Sequence, residues 1–496
     1  MTRSFSFLFA AATTAVLSLH CGSDPNANPD RKPDGGGAAD GGTSDVGTGD
    51  AGTSGSDGGI VDETTCAPGT YEFPFRSGAC IDDPCAPDPC GGAGTCSNVT
   101  GVAVCTRCTR FVDASGGADT NDGASTKTPW KSIAKVNAAT LTAGDNVCFK
   151  RGETFVGTLQ ASSVGTSAMP LRYGHYGASE RAKPLLTGHV PLGSWTQTVP
   201  GIWKASCPSC GSAVESVTID GEPKAMGRTP NASAAGGGFL TYEGVLGPPG
   251  VDADGYYNTP YNGVLGITDN ELPASPSWVG AEVVIRKTYW MLDRARVTAQ
   301  NGPTIQYENP GKASGSVGRA GWGYFFQNSL QTLDEEGEWY YAPDTHEIYI
   351  YFGAKGPGAR VVLASTVDTV VSFTASSSNV VVDGIRVTGG NGQGIFVNQA
   401  KNVTITSVDV AHSGRDGIRV SGTDGVTIQS STVSHSGASG IFLAHTPKNT
   451  TVVHNVVRES GVVPGAGPRI SETDQGNHQG ILVSGSTAEQ NTLIDT

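Results

Sequence analysis

The chain has 496 residues, enough for two or three domains, but 70 are Gly, only 4 are Met and 16% are charged. Glycine's entropy cost inside a helix makes this poor material for long helices, so the composition favours an all-β chain. A formal net charge of −14 argues against nucleic acid as the main partner, while leaving room for an anionic polysaccharide in a locally basic groove.

Taken in chain order, residues 1–20 read as a signal peptide: Arg3 precedes an apolar stretch from Phe5 to Leu19 that is short for a membrane span. Cys21 and the polar tail after it resemble a bacterial lipoprotein signal, which implies lipidation of Cys21 and attachment to the outer membrane. The pattern departs from that family at Ser18, where leucine is expected, and at His20, where a small residue precedes the cut. Without lipidation the protein would be secreted. Removing Cys21 from the 11 cysteines leaves ten, an even number that predicts a disulfide framework in an exported protein.

Residues 21–65 are almost wholly Gly, Ala, Ser, Thr and Asp, a composition that cannot bury a core and reads as a flexible spacer. Residues 66–108 hold seven cysteines, and no His lies among them, which argues against a metal site. The run "DPCAPDPCGGAGTCSNVTGVAVCTRC" resembles the first five cysteines of an EGF-like module. That resemblance implies pairing of Cys85 with Cys96 and of Cys90 with Cys105. The module's last loop is missing, and two residues separate Cys105 from Cys108 where one is usual. Cys66 can pair with Cys80, leaving Cys108 to reach Cys148.

From residue 109 to 496 the chain changes character. A short strand, a Gly/Asp/Asn loop, a helix-compatible stretch from about Pro129 to Ala139 and a β-rich return follow one another. This order resembles the opening of extracellular right-handed parallel β-helix proteins, including polysaccharide lyases, where a capping helix covers the first coil. The middle, residues 160–370, is less regular; "GEWYYAPDTHEIYIYF" predicts a hairpin turning at Pro343 and Asp344, and "SVTIDGEPKAMGRTPN" a strand and a turn. These segments too resemble stretches of large carbohydrate-active β-helix proteins, including glycoside hydrolases. Cys207 and Cys210 in "CPSC" predict a local disulfide.

The clearest internal signal is a 23-residue period: "GIFV" at Gly394, "GIRV" at Gly417, "GIFL" at Gly440, with "VTI" at 403 and 426. Repeats of this length demand stacking, and three short β runs per repeat predict one coil of a right-handed parallel β-helix. Strand alternation turns Ile395 and Val397, Ile418 and Val420, Ile441 and Leu443, and Ile481 and Val483 inward. Phe396, Arg419, Phe442 and Leu482 then face out. The step from Gly440 to Gly480 is 40 residues, so about 17 extra residues around "VVPGAGPRISETDQGNH" precede the last strand. The chain stops inside what reads as another coil, which predicts a truncated sequence.

In β-helix lyases and hydrolases the substrate lies along an outward strand face, so the resemblance points to Phe396, Arg419 and Phe442 as the substrate-binding stripe. Sugars would stack on the rings, and Arg419 would grip a uronic carboxylate. Candidate catalytic groups are Asp416, Glu472 and Asp474 for a glycosidase's paired acids. For a lyase they are Arg415, Arg469 or His478 as base, with the same acids or Ca²⁺ stabilising charge. "DASGGADTNDG" and "VDADGYYN" lack a full calcium-loop spacing, and Gly/Asp turns explain them. His412, His435 and Glu459 share one repeat position and predict a structural ladder with a possible acid/base role. The reading is a monomeric exported protein that acts on polysaccharide by lyase or glycoside hydrolase chemistry; the alternative is a non-catalytic glycan-binding or adhesion lipoprotein.

Overall fold

A computed structural model describes residues 70–72, 80–82, 90, 94–99, 102–288, 291–311, 315–445, 447–467, 479–482, 487–489 and 492–494. All of them fall in the compact unit Cys66–Thr496. The signal segment, Cys21 and the spacer lie outside the described residues.

Most of the 23-residue repeat becomes backbone that alternates short strands with single-residue corners. In the coil that begins at Lys401, strands Lys401–Thr406, Asp409–Ala411 and Ile418–Ser421 follow one another. Ser407, His412 and Gly422 turn the chain between them at φ of 53°, 55° and 59°. A single left-handed residue bends the chain sharply without ending the ladder on either side. Stacking such coils gives three parallel sheets of eight, seven and six strands; we call them A, B and C. Each complete coil contributes one strand to each sheet, as with Lys401–Thr406 in A, Asp409–Ala411 in B and Ile418–Ser421 in C.

The register matches the repeat: Ile395, Ile418, Ile441 and Ile481 are direct neighbours down sheet C. Together with Val403, Ile405, Val410 and Val420 they form one continuous apolar core that runs from Val112 to Val457. The helix Ile133–Ala138 starts at Ser132, whose side chain accepts the Lys135 N–H, and it buries Ile133 and Val136 in the same core. The glycine before the inward isoleucine, Gly394, Gly417 and Gly440 in successive coils, is required by packing. A Cβ on Gly417 would run into Val433 and come within 2.7 Å of the Gly440 carbonyl oxygen. Gly417→Ala is therefore expected to cost about 1–3 kcal/mol, read as a lower urea midpoint with unchanged slope.

The β-helix is interrupted. Strands Leu185–Thr187 and Arg386–Thr388 pair in parallel, and the Thr187 and Thr388 hydroxyls meet at 3.0 Å across 201 residues of sequence. Between them the chain leaves the corner joining sheets B and C and builds antiparallel sheets with two cores of their own, one around Val283 and Tyr324 and one around Ile348 and Trp339. The hairpin of Trp339–Ala342 with Glu347–Tyr351 belongs to this insertion. So does the tight turn Asp220–Gly221, where both residues have positive φ, 56° and 89°. The irregularity of residues 160–370 is thus an inserted antiparallel body that splits one coil.

At the other end, the hairpin Gly94–Val99 with Val102–Arg107 docks on the first coils. The Thr95 hydroxyl donates to the His175 carbonyl at 3.0 Å and accepts the His175 N–H at 3.1 Å. Disulfides join Cys90 to Cys105, Cys108 to Cys148 and Cys207 to Cys210. Cys96 is also disulfide-bonded; Cys66, Cys85 and the side chain of Cys80 lie outside the described residues.

Candidate functional site

The corner between sheets B and C is where both insertions leave the β-helix, the large one after Thr187 and a shorter one after Arg458. Between them lies a cavity of about 280 Å³. The coil side supplies His412, Ser413, His435, Ser436 and Glu459; the large insertion supplies Glu215, Glu222, Lys224, Met226, Arg294 and Trp339; the short one supplies Val462 to Ala466.

The coil wall is a ladder of corner residues. His412, His435 and Glu459 follow sheet B strands of successive coils in the left-handed conformation, φ 55°, 51° and 50°. The coil before them has Gly389 at this corner, φ 77°, and the His189 ring from the insertion lies over it, 2.5 Å from where a Cβ would stand. The stack is therefore continuous, with ring centroids 6.4 Å apart for His189 and His412 and 5.1 Å for His412 and His435. Ser216 ties the insertion to it: its hydroxyl donates to the His412 carbonyl at 2.9 Å and accepts from His189 Nε2 at 3.1 Å. At the open end His435 Nε2 meets the Glu459 carboxylate.

Burial, then the neighbouring His435, lowers His412 to about 4; burial, then His412, lowers His189 to about 4. Because the unfolded chain titrates near 6.5, the stability contributed by these neutral rings is complete above pH 6.5 and is lost as pH falls towards 4. The urea midpoint should fall across that window, less steeply in His412→Gln than in the parent.

The opposite wall is held by Arg294, 1% exposed. Its guanidinium grips Glu282 through Nε to Oε2 at 2.5 Å and Nη2 to Oε1 at 3.2 Å. Nη1 donates to Glu215 Oε2 at 2.7 Å and to the Gly467 carbonyl at 3.0 Å. Gln327 adds donors to Glu282 at 3.0 Å and to the Gly465 carbonyl at 2.8 Å. One buried cation thus fixes a carboxylate in the cavity wall and ties the short insertion to the large one.

The outer face of sheet C also holds the expected stripe. Phe396, Arg419, Phe442 and Leu482 are successive neighbours, and the Arg419 guanidinium lies 5.9 Å and 4.9 Å from the two ring centroids. Arg419 and Asp416, the substrate-binding and catalytic candidates of this face, are both buried. Arg419 is 7% and Asp416 4% exposed, and they pair at 3.3 Å while Asp416 accepts the Ser439 N–H at 3.2 Å. The Phe396 and Phe442 rings flank the Arg419 guanidinium, and burial pushes the Asp416 carboxyl up against the opposing pull of Arg419. Arg415 sits 3.6 Å from Asp368. Glu472, Asp474, His478 and Arg469 lie outside the described residues. The aspartates of "DASGGADTNDG" serve turns: Asp113 accepts from Ser115 and Gly116, Asp119 from Lys131 and Ser132, Asp122 from Ala124. No group of three or more metal-binding side chains occurs among the described residues.

Residues 368–495 match the family model for a right handed beta helix region. This segment is a right-handed β-helix. The chain is also similar to a lacto-N-biosidase of Bifidobacterium longum subsp. longum, 33% identical over 94 residues, which are 18% of this chain and 6% of that protein. It thus spans only a small part of that relative's length. Among solved structures, a glycoside hydrolase is 13% identical with a TM-score of 0.40, covering 78% of this chain and 94% of its own. A complex of XylC with xylose is 11% identical with a TM-score of 0.40, covering 71% and 58%.

In this right-handed β-helix the repeat reading found His412, His435 and Glu459 and placed them in one ladder, but it missed the wall they face. Glu215, Glu282 and Arg294 carry no repeat signal. Glu215 lies outside any strand, and the one mark of Glu282 and Arg294 is charge beside the apolar residues of their strands, as in "AEVVIRKTYWMLDRARV", where they adjoin Val283, Val284, Ile285 and Ala295. A charge in such a strand has to be paired on burial.

Proposed function

We propose that this chain is a glycan-cleaving hydrolase that works in the cavity between the corner ladder and the large insertion. The observation that carries this is the pair of differently partnered carboxylates in the walls of one cavity, Glu459 on His435 and Glu215 on Arg294. Glycoside hydrolysis needs a proton donor beside the leaving oxygen and an ionised carboxylate as base or nucleophile. In this reading Glu459 and His435 share and deliver the proton, and Glu215 is the ionised partner held in place by Arg294. A lyase would need a cation to neutralise a uronic carboxylate and a base beside it, but Arg294 is committed to Glu215 and Glu282, and Arg419 to Asp416. The name of the lacto-N-biosidase relative supports hydrolysis over elimination. The disulfides support action outside the reducing cytoplasm, with Cys21 as the point of lipid attachment.

The test is incubation with a panel of polysaccharides, following reducing ends and the ultraviolet absorbance of unsaturated ends together. New reducing ends without that absorbance are expected. Unsaturated ends would replace the reading with a lyase, and binding with neither product would replace it with a glycan-binding protein.

A further inference from the structure

Resting on the cavity reading above, we infer that the sugars bound in this cleft are uncharged rather than uronic. Glu215 and Glu222 line it, with Glu282 directly behind Arg294, and Glu459 shares a proton with the neighbouring His435, so that this pair adds no net charge. Against the other three carboxylates the described lining sets Arg294 and Lys224. Arg294 is buried and spends its donors on Glu215, Glu282 and the Gly467 carbonyl, so it has no fork left for a ligand carboxylate. Lys224 stands two residues from Glu222, on the same wall. A uronic carboxylate entering this cleft would therefore meet a surplus of negative charge in a partly desolvated space, where repulsion is least screened.

The rest of the lining suits a neutral ring. Met226, Val462 and Val463 offer apolar contact to the C–H faces of a sugar, and Glu222 and Glu459 offer acceptors for its hydroxyls. The outer stripe does not restore a uronate site, since its Arg419 guanidinium is buried against Asp416.

Affinity electrophoresis of the intact protein through gels containing single polysaccharides reads binding whether or not turnover occurs. Uncharged polymers (xylan, galactan, arabinan, mannan, glycol chitin in its N-acetylated form) are compared with polygalacturonate, alginate and hyaluronate at two salt concentrations. Retardation by at least one uncharged polymer, with apparent affinity at least tenfold above that for every uronate polymer at low salt, is the expected result. Stronger or equal retardation by any uronate polymer overturns the inference, as does retardation by none. Product formation, measured separately, judges the hydrolase reading. A protein retarded by a neutral polymer without cleaving it would keep this inference and lose that one.

Discussion

Glu459→Gln is expected to lower kcat by about two to four orders of magnitude, the usual weight of a positioned proton-transfer group, with KM changed far less. Glu459 sits at a corner with 43% of its side chain exposed, and the isosteric amide keeps the backbone turn. The far-ultraviolet spectrum and the urea midpoint should therefore stay close to those of the parent. Glu215→Gln should reduce kcat in the same way from the other wall. Asp416→Asn provides the contrast: its carboxylate is buried on Arg419, away from the cavity lining, so the change should leave kcat within a few-fold while lowering the urea midpoint. Loss of activity in Asp416→Asn with full activity in Glu459→Gln would move the chemistry to the outer face of sheet C.

Arg294→Met should have the largest effect on stability. Methionine fills a similar length but leaves Glu282 and Glu215 facing each other without their cation, and strips the Gly467 carbonyl of its donor. Removing one partner of a buried ionic network costs about 3–5 kcal/mol, because the remaining charges stay desolvated and unpaired. Denaturant unfolding measures this directly. Arg294→Lys keeps the charge but offers no planar fork, so it should fall between the parent and Arg294→Met in stability. It should still depress kcat, because a single ammonium cannot keep the two-point grip on Glu282 and also hold Glu215 in the fixed position that Nη1 gives it. A wild-type midpoint for Arg294→Met would show that the network contributes nothing net.

The coils were legible because their signal is periodic and local. Gly394, Gly417 and Gly440 mark where a coil cannot tolerate a Cβ, and Ile395, Ile418 and Ile441 mark the face that stacks inward; the observed register places them as direct neighbours. The same alternation placed Phe396, Arg419 and Phe442 in one outward stack. Alternation alone cannot tell an open face from a covered one, so it gives no sign that Arg419 and Asp416 are buried. The large insertion was illegible for a different reason. Its strands are built from Val, Ile and aromatic residues that read as β structure just as the coils do, and the pairing that reveals it, Thr187 with Thr388, spans 201 residues with no local mark. Half of the candidate site was therefore in view, the ladder of His412, His435 and Glu459. The other half depends on where the insertion folds back, which is a matter of tertiary packing.

If a glycan lies between the corner ladder and the large insertion, hydrogen–deuterium exchange of the Glu459→Gln protein will locate it. With and without a bound oligosaccharide, protection is expected in peptides covering residues 215–226 and 459–467. Protection confined to the sheet C strands that carry Phe396, Arg419 and Phe442, with no change at 215–226 or 459–467, would contradict that placement.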